Sequence, residues 1–535
     1  MLNETCHISI LPNARRIETR RGRGLIESLM DQSIFLRSDC GGKGICKQCR
    51  VKMILNNGDH EQINACTYKV SEDIKIEIPE SSMLSSHIIS KAPVSLPKEF
   101  TKRFENVNEK ECYGIAVDLG TTTIAIYLCN TAKGKILSSL AVKNPQVLYG
   151  DDIMSRIGAI GQEEKNLGYL QKLVVRAIEW GIKELLISLG LEESIVSKMV
   201  VVGNPTMIHI LLGVDPKPIG VSPYLPAFYN AKSIQSNDLG FELEDFSIQI
   251  LPQVSGFIGG DILGAAIAVD LENQPEGTLL IDLGTNGELL LKGKNKIFGT
   301  SCAIGPAFEG ASLSCGMQAI PGAINKIEIN DPNDFPDCSF INLSRSSKLK
   351  PSGICGTGVV SAVAQFCHKN IIEPGGAFKK NSMLRAIKND ASGKINYLLV
   401  PETSTQDGSA IFISQKDIRS VQLGKGALIT GIQFLLKKAG IKKPEAIIVA
   451  GAFGTFLDKE DMMTLGMIPS IDPGRVKIVG NAAGTGSIMA LCNDIYLKKS
   501  IQTAKQISVV DLACDQNFQD KFIKNMSFPI ATNSK

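Results

Sequence analysis

Residues 117–128 read VDLGTTTIAIYL and residues 281–292 read IDLGTNGELLLK. In each, an apolar run delivers an Asp to its end, turns through Leu-Gly-Thr and leaves as a second apolar run. A strand–turn–strand unit that recurs about 164 residues later predicts two lobes of similar fold facing each other. At 535 residues the chain also exceeds what one hydrophobic core usually serves, so two to four domains are expected. From about residue 112 the texture is long α/β alternation, with a helix predicted over 170–190 and a buried strand over 199–204.

The chemistry of the repeated turn follows from its residue types. In Asp118-Leu119-Gly120-Thr121 and Asp282-Leu283-Gly284-Thr285 the glycine leaves room for a phosphate, and the threonine offers a backbone N–H and a hydroxyl to its oxygens. The carboxylate suits Mg²⁺, which prefers hard oxygen ligands. One such turn is readily an ordinary hairpin, but two copies set between apolar strands argue for a phosphate site. IIVAGAFGTFLD at 447–458 is a strand entering Gly451-Ala452-Phe453-Gly454, where an adenine ring could lie flat on the backbone. GNAAGTGSIMAL at 480–491 and GICGTGVVSAVAQF at 353–366 read equally well as close helix packing or as ligand contacts at a helix start.

The other chemical signal is a cysteine quartet. Cys40, Cys46, Cys49 and Cys66 follow a C-x5-C-x2-C-x16-C pattern in a glycine-containing loop, a clustering that can hold an iron–sulfur cluster. Around it the order is a hairpin over 6–20, a short helix near Leu25–Met30, the cysteine loop, a strand VKMIL and a strand IKIEIP at 74–79. That is the order of a small α+β, β-grasp ferredoxin domain, expected over 1–82. A Ser-, Pro- and charge-rich linker over 83–111 follows, with one short helix. The chain has fourteen cysteines. The ten outside the quartet read as small buried hydrophobes in reduced form.

A net charge of +3 is too weak to argue for nucleic acid. No uninterrupted apolar stretch of about 18 residues predicts a membrane span. The start lacks the pattern of a secretory leader, so a cytoplasmic protein is expected. The run Arg15, Arg16, Arg20, Arg21 and Arg23 is the one basic patch near the cysteines, either a solvated face or a dock for an acidic partner.

The glycine and Asp segments together resemble the phosphate-1, phosphate-2 and adenosine signatures of the acetate/sugar kinase, Hsp70 and actin (ASKHA) superfamily. A narrower resemblance lies in NPQVLYGDDIMSRI (144–157), VVGNPTMIHILLG (201–213), GPAFEGASLSCGM (305–317), GICGTGV (353–359) and ISQKDIRSVQLGKGAL (413–428). These segments, and an N-terminal cluster ahead of an ATPase, resemble the reductive activators of corrinoid proteins along essentially the whole chain.

The resemblance implies a two-lobed α/β ATPase domain, actin-like or ribonuclease H-like, over 112–535. Its lobes would span about 112–276 and 277–500, with an extension over 501–535. It implies a [2Fe-2S] cluster on Cys40, Cys46, Cys49 and Cys66. Asp118, Gly120, Thr121 and Thr122 would match phosphate 1, Asp282, Gly284, Thr285 and Asn286 phosphate 2, and Gly451 and Gly454 the adenosine turn. Asp118 and Asp282 would position Mg²⁺ and the water that attacks ATP. The implied partners are a corrinoid protein of a methyltransferase system and an upstream low-potential electron donor, and a homodimer is implied. One departure is expected: some relatives carry an additional middle domain before the ATPase, where this chain has only about 30 linker residues.

Such a protein would return an electron to a corrinoid stranded as Co(II). Each 100 mV of uphill transfer costs roughly 2.3 kcal/mol per electron, and plant-type clusters sit near about −400 mV, which gives ATP a task. Three other readings stay open on sequence grounds: a small-molecule kinase, an ATP-gated donor to another low-potential enzyme, and a non-catalytic regulator with a structural or sensing cluster.

Overall fold

The computed structural model describes the chain apart from residues 1–4, 13–14, 33, 37–41, 43, 45–46, 56, 84–93, 105–111, 311, 333, 343–348, 380–386, 390–392, 394, 452–456, 513–514 and 530–535. Cys40, Cys46, Gly454 and most of the 83–111 linker therefore lie outside the described residues. A short helix, Lys98–Lys102, lies in the described part of that linker. The chain divides into two compact units, one built from residues 1–91, 101–256 and 487–494, the other from 92–100, 257–486 and 495–535.

The described residues of the first unit form two large sheets and a short antiparallel pair, Arg23–Gly24 with Lys69–Val70. Its N-terminal sheet runs Arg15–Arg20, Thr5–Leu11, Ile74–Glu77, Arg50–Ile54, His60–Asn64. Only the Thr5–Leu11 and Ile74–Glu77 pair is parallel. Alternation is visible in RRIETR, where Ile17 and Thr19 are buried between exposed charges, as a half-buried strand requires. The adjoining helix Leu25–Met30 buries Leu25, Ile26 and Leu29. The strand His60–Asn64 escapes sequence reading because HEQIN is a polar edge strand with Ile63 alone fully buried.

The second sheet of this unit runs Lys135–Lys143, Thr123–Asn130, Tyr113–Leu119, Val196–Gly203, Ser247–Ile250, Lys232–Gln235. Its central strands Tyr113–Leu119 and Thr123–Asn130 are mostly apolar and buried, as expected where both faces are covered. The helix Lys165–Leu189 stops at Gly190, whose left-handed φ of 65° returns its N–H to the last carbonyls.

The main sheet of the second unit runs Ile297–Cys302, Gly287–Lys292, Thr278–Leu283, Ala446–Ala450, Val476–Ile478, with Ile507–Val509 added on the outer edge of the first strand. Both large sheets thus have one scheme: a three-strand antiparallel meander whose first strand is flanked by two successive parallel strands. The repeated motif forms the first two strands of each.

The 25-residue helix Gln415–Ala439 was not apparent in the sequence, although Ser414 and Asp417 form a complete capping box at its start. Gly424, Gly426 and Gly431 interrupt its pattern, each costing about 1 kcal/mol relative to Ala. Packing explains two of them. A Cβ at Gly424 would meet the Phe308 ring, and one at Gly431 would collide with Cys302 Sγ.

Candidate functional site

The two D-x-G-T turns are built differently in detail. Strand register pairs Asp118 with Ala125 and Leu119 with Ile124, and Gly120 N–H closes the turn on Thr123 O at 3.0 Å. A Cβ at Gly120 would stand 2.6 Å from that same carbonyl, so only glycine fits. The second turn is a residue tighter: Gly284 N–H reaches Asn286 O at 2.9 Å, and register sets Asp282 directly opposite Glu288.

Around the first turn a polar frame is in place. Asn204 Nδ2 donates to Thr121 Oγ1 at 3.0 Å, and Asn144 Nδ2 donates to Gly120 O at 3.0 Å. The wholly buried Arg156 donates from Nη2 to Thr121 O at 2.7 Å. Asn204 caps the helix Pro205–Leu211, and Asn144 caps the 3₁₀ turn Pro145–Tyr149. The frame thus comes from two of the segments that carry the family resemblance.

Around the second turn the structure gathers acids that the sequence reading did not single out. Asp282, Glu288 and Ser301 form a cross-strand row, and Ser301 Oγ donates to Glu288 Oε1 at 3.1 Å. Asp261, at the start of the helix Gly260–Ala268, is close enough to act on Glu288 electrostatically. Burial first, then the charges of Asp261 and Asp282, pushes the Glu288 carboxyl well above its ordinary range. Burial likewise pushes Asp261 up to about 6, against backbone hydrogen bonds that lower it. Thr285 Oγ1 donates to Glu309 Oε1 at 2.8 Å. Glu288 was legible in principle, since a tight hairpin centred on Thr285 must set residues 282 and 288 opposite each other. Asp261 and Glu309 come from tertiary packing.

Like carboxylates side by side cost stability unless a proton or a cation intervenes. The folded pKa of Asp261 lies above its unfolded value, so stability falls as pH rises through about 6. Asp261→Asn is therefore expected to make the nucleotide-free protein more stable than wild type above pH 6, by up to about 3 kcal/mol. Below pH 4 the advantage should vanish. Denaturant unfolding at several pH values checks this.

Gly451 meets the second turn. Ala450 pairs with Asp282 in parallel register, Gly451 N–H binds Gly480 O at 2.9 Å, and Gly451 has φ 108°. Any Cβ there would collide with Leu283 O and approach Asp282 Oδ1 to 3.1 Å. The second D-x-G-T turn and Gly451 are thus brought together within the second unit. Within 480–491, Gly486 serves packing: a Cβ there would overlap the backbone of Gly264. Among the described residues no group of three or more His, Cys, Asp or Glu is arranged to hold a metal ion. Mg²⁺ needs less, being commonly held by one or two carboxylates together with phosphate oxygens and water, and the Asp-bearing turns fit that role.

Of the quartet, Cys49 and Cys66 are described. Cys49 is wholly buried and Cys66 half-buried. Ala65 N–H binds Cys49 O at 3.1 Å, which continues the register of the Arg50–Ile54 and His60–Asn64 hairpin and brings the two cysteines to one end of it. Gly42, Gly44 and Lys47 have φ of 80°, 72° and 58°, and a Cβ at Gly44 would stand 2.9 Å from Thr67 Cγ2. A loop with this much left-handed backbone, packed on the 64–67 turn, fits the tight wrapping that four thiolates around a cluster require. No helix among the described residues is long and apolar enough to cross a membrane.

Comparison with known proteins identifies the family. Residues 113–274 match a family model described as the RACo middle region, and residues 276–535 one described as the C-terminal domain of RACo, the ASKHA domain. The expected absence of a middle domain is thereby corrected: the middle region is the segment read above as the first lobe. The chain is 28% identical over 563 residues to the corrinoid activation enzyme RamQ of Eubacterium limosum, covering 91% of this chain and 93% of that one. It is 25% identical over 453 residues to the [Co(II) methylated amine-specific corrinoid protein] reductase of Methanosarcina barkeri, covering 78% and 77%. In fold it matches a solved reductive activator for corrinoid, iron-sulfur protein with a TM-score of 0.73 and 24% identity, over 98% of this chain and 99% of that one. With two regional models of one family spanning nearly everything after residue 112, the chain belongs to the reductive activators of corrinoid proteins.

Proposed function

We propose that this chain uses ATP to return one electron to a Co(II) corrinoid protein, its substrate, and so regenerates the Co(I) form that accepts methyl groups. The observation that carries the reading is family membership along the ATPase region, together with relatives named for corrinoid activation and for Co(II) corrinoid protein reduction. The first 82 residues are a β-grasp ferredoxin in this reading. Cys40, Cys46, Cys49 and Cys66 hold its [2Fe-2S] cluster, which when bound supplies a single low-potential electron. An upstream donor recharges it, and the working form is a homodimer.

The remaining roles belong to the chain's own residues. Gly120, Thr121 and Thr122 in one turn, and Gly284, Thr285 and Asn286 in the other, bind nucleotide phosphates through backbone N–H groups and hydroxyls. Gly451 and Gly454 let the nucleoside lie against bare backbone. Asp118 and Asp282 hold Mg²⁺ and orient the attacking water, so catalysis is mainly electrostatic positioning. The raised pKa of Glu288 supports this reading, since an acid row that carries excess negative charge is one a cation would relieve.

A kinase of the same superfamily would hydrolyse or transfer phosphate in response to a sugar or carboxylate. Here ATP hydrolysis is expected to rise severalfold on adding a Co(II) corrinoid protein, with no response to small hydroxylated or carboxylate metabolites. Stimulation by a metabolite alone would replace the present reading with the kinase one.

A further inference from the structure

The segment 144–156 touches both chemistries of the first unit. At one end Asn144 N–H donates to Thr122 O at 2.8 Å and Asn144 Nδ2 to Gly120 O at 3.0 Å. At the other end Arg156 spans the segment back to the same turn. Its Nε donates to Gly150 O at 3.0 Å, its Nη1 to Gln146 Oε1 at 3.0 Å, and its Nη2 to Thr121 O at 2.7 Å. The three carbonyls of Gly120, Thr121 and Thr122 are therefore all held by this one segment. Its middle faces the cysteine-bearing domain. A Cβ on Gly42, in the cysteine loop, would stand 3.3 Å from Leu148 Cδ2. Tyr149 lies within electrostatic reach of Glu27, Arg23 and Asp31, and burial with those acids raises its hydroxyl pKa.

The surrounding contacts fix the two partners against each other. Arg23 pairs with Asp31 at 2.6 Å and lies over the Tyr169 ring at 5.3 Å. Lys172 reaches Asp31 at 3.4 Å, and Phe35 packs edge-on to Trp180 with centroids 6.4 Å apart. Arg23 is thus taken out of the basic run and used as an internal clasp. The cysteine loop rests on a platform whose hydrogen bonds end at the phosphate-1 turn.

We infer that residues 144–156 form a relay between the phosphate-1 turn and the cysteine loop, with Asn144 and Arg156 as positioning residues and Leu148 as the contact that senses the loop. The inference rests on the function proposed above. Nucleotide that reorganises Gly120–Thr122 moves the segment, and the segment changes the packing around Gly42. Coupling of this kind is carried by contiguous packed and hydrogen-bonded groups, and it is reciprocal. Occupancy by nucleotide and the redox state of the cluster must then bias each other by the same factor.

The test uses the full chain with its cluster loaded and a non-hydrolysable Mg²⁺–ATP analogue. Analogue affinity is measured on the oxidised and the reduced protein, and the midpoint potential by an EPR-monitored titration. Wild type is expected to differ about tenfold in affinity between the redox states, equivalent to about 59 mV for one electron. Leu148→Ala, a half-buried truncation outside both D-x-G-T turns, should reduce the difference to about twofold or less, with analogue binding and cluster spectrum retained. Arg156→Lys should weaken the analogue in both states. Equal affinities in the two states of wild type, with ATP-dependent corrinoid reduction intact, overturn the relay alone. An undiminished difference in Leu148→Ala does the same. Failure of the analogue to bind either form sinks the relay and the nucleotide reading together.

Discussion

Replacing Cys49 with serine is expected to abolish reduction of the corrinoid substrate while leaving nucleotide binding intact. Cys49 is wholly buried at the start of the Arg50–Ile54 strand, beside the turn that carries Cys66. A serine hydroxyl is nearly isosteric but is not a thiolate, and thiolates are what an iron–sulfur centre requires. The substitution removes one of four proposed ligands without opening a cavity, so the sheet around it should persist. The proposed nucleotide turns are carried by other elements, so the analogue should still bind, with its affinity changed by no more than the roughly tenfold redox-linked factor. Visible absorption and iron content would report the cluster, and analogue binding the ATPase region. A Cys49→Ser protein with full cluster absorbance and undiminished corrinoid reduction would remove the cysteine quartet from the mechanism.

The converse is expected of Asp118→Ala. Asp118 ends the Tyr113–Leu119 strand opposite Ala125, next to a turn in which only glycine fits at position 120. Deleting its carboxylate takes away an oriented charge where Mg²⁺ and the attacking water are proposed to sit. Losses of about a hundredfold or more in turnover are usual when such a preorganised group is removed. ATP-dependent formation of Co(I) should therefore fall by that order, with the visible spectrum of the cluster unchanged. Wild-type rates of ATP-driven reduction in this variant would remove the first D-x-G-T turn from the chemistry.

Much of this arrangement was legible in the chain. The repeat at 117–128 and 281–292 implied two similar lobes, and five strands of each large sheet have the same order and sense because each set starts from one copy. The glycines at 120 and 451 were marked as places where backbone must come close, and both have no room for a Cβ. What escaped reading did so for physical reasons. The helix Gln415–Ala439 is disguised by glycines whose purpose is contact with Phe308 and Cys302, side chains far away in sequence. Asp261 belongs to the acid row only through packing of its helix. Arg156 looks like an ordinary exposed arginine in DDIMSRI, yet it is among the largest fully buried side chains and holds the carbonyl of Thr121. Hydrophobic periodicity identifies which residues build a core; it does not identify a buried cation whose partners are backbone carbonyls in another segment.

The decisive measurement is the Co(II) to Co(I) absorbance change of a corrinoid protein mixed with the chemically reduced chain, recorded with and without Mg²⁺–ATP. Conversion to Co(I) is expected only when ATP is present, with one electron leaving the protein for each cobalt reduced. Equal conversion without nucleotide, or none with it, would contradict the central claim that this chain couples ATP to reductive activation.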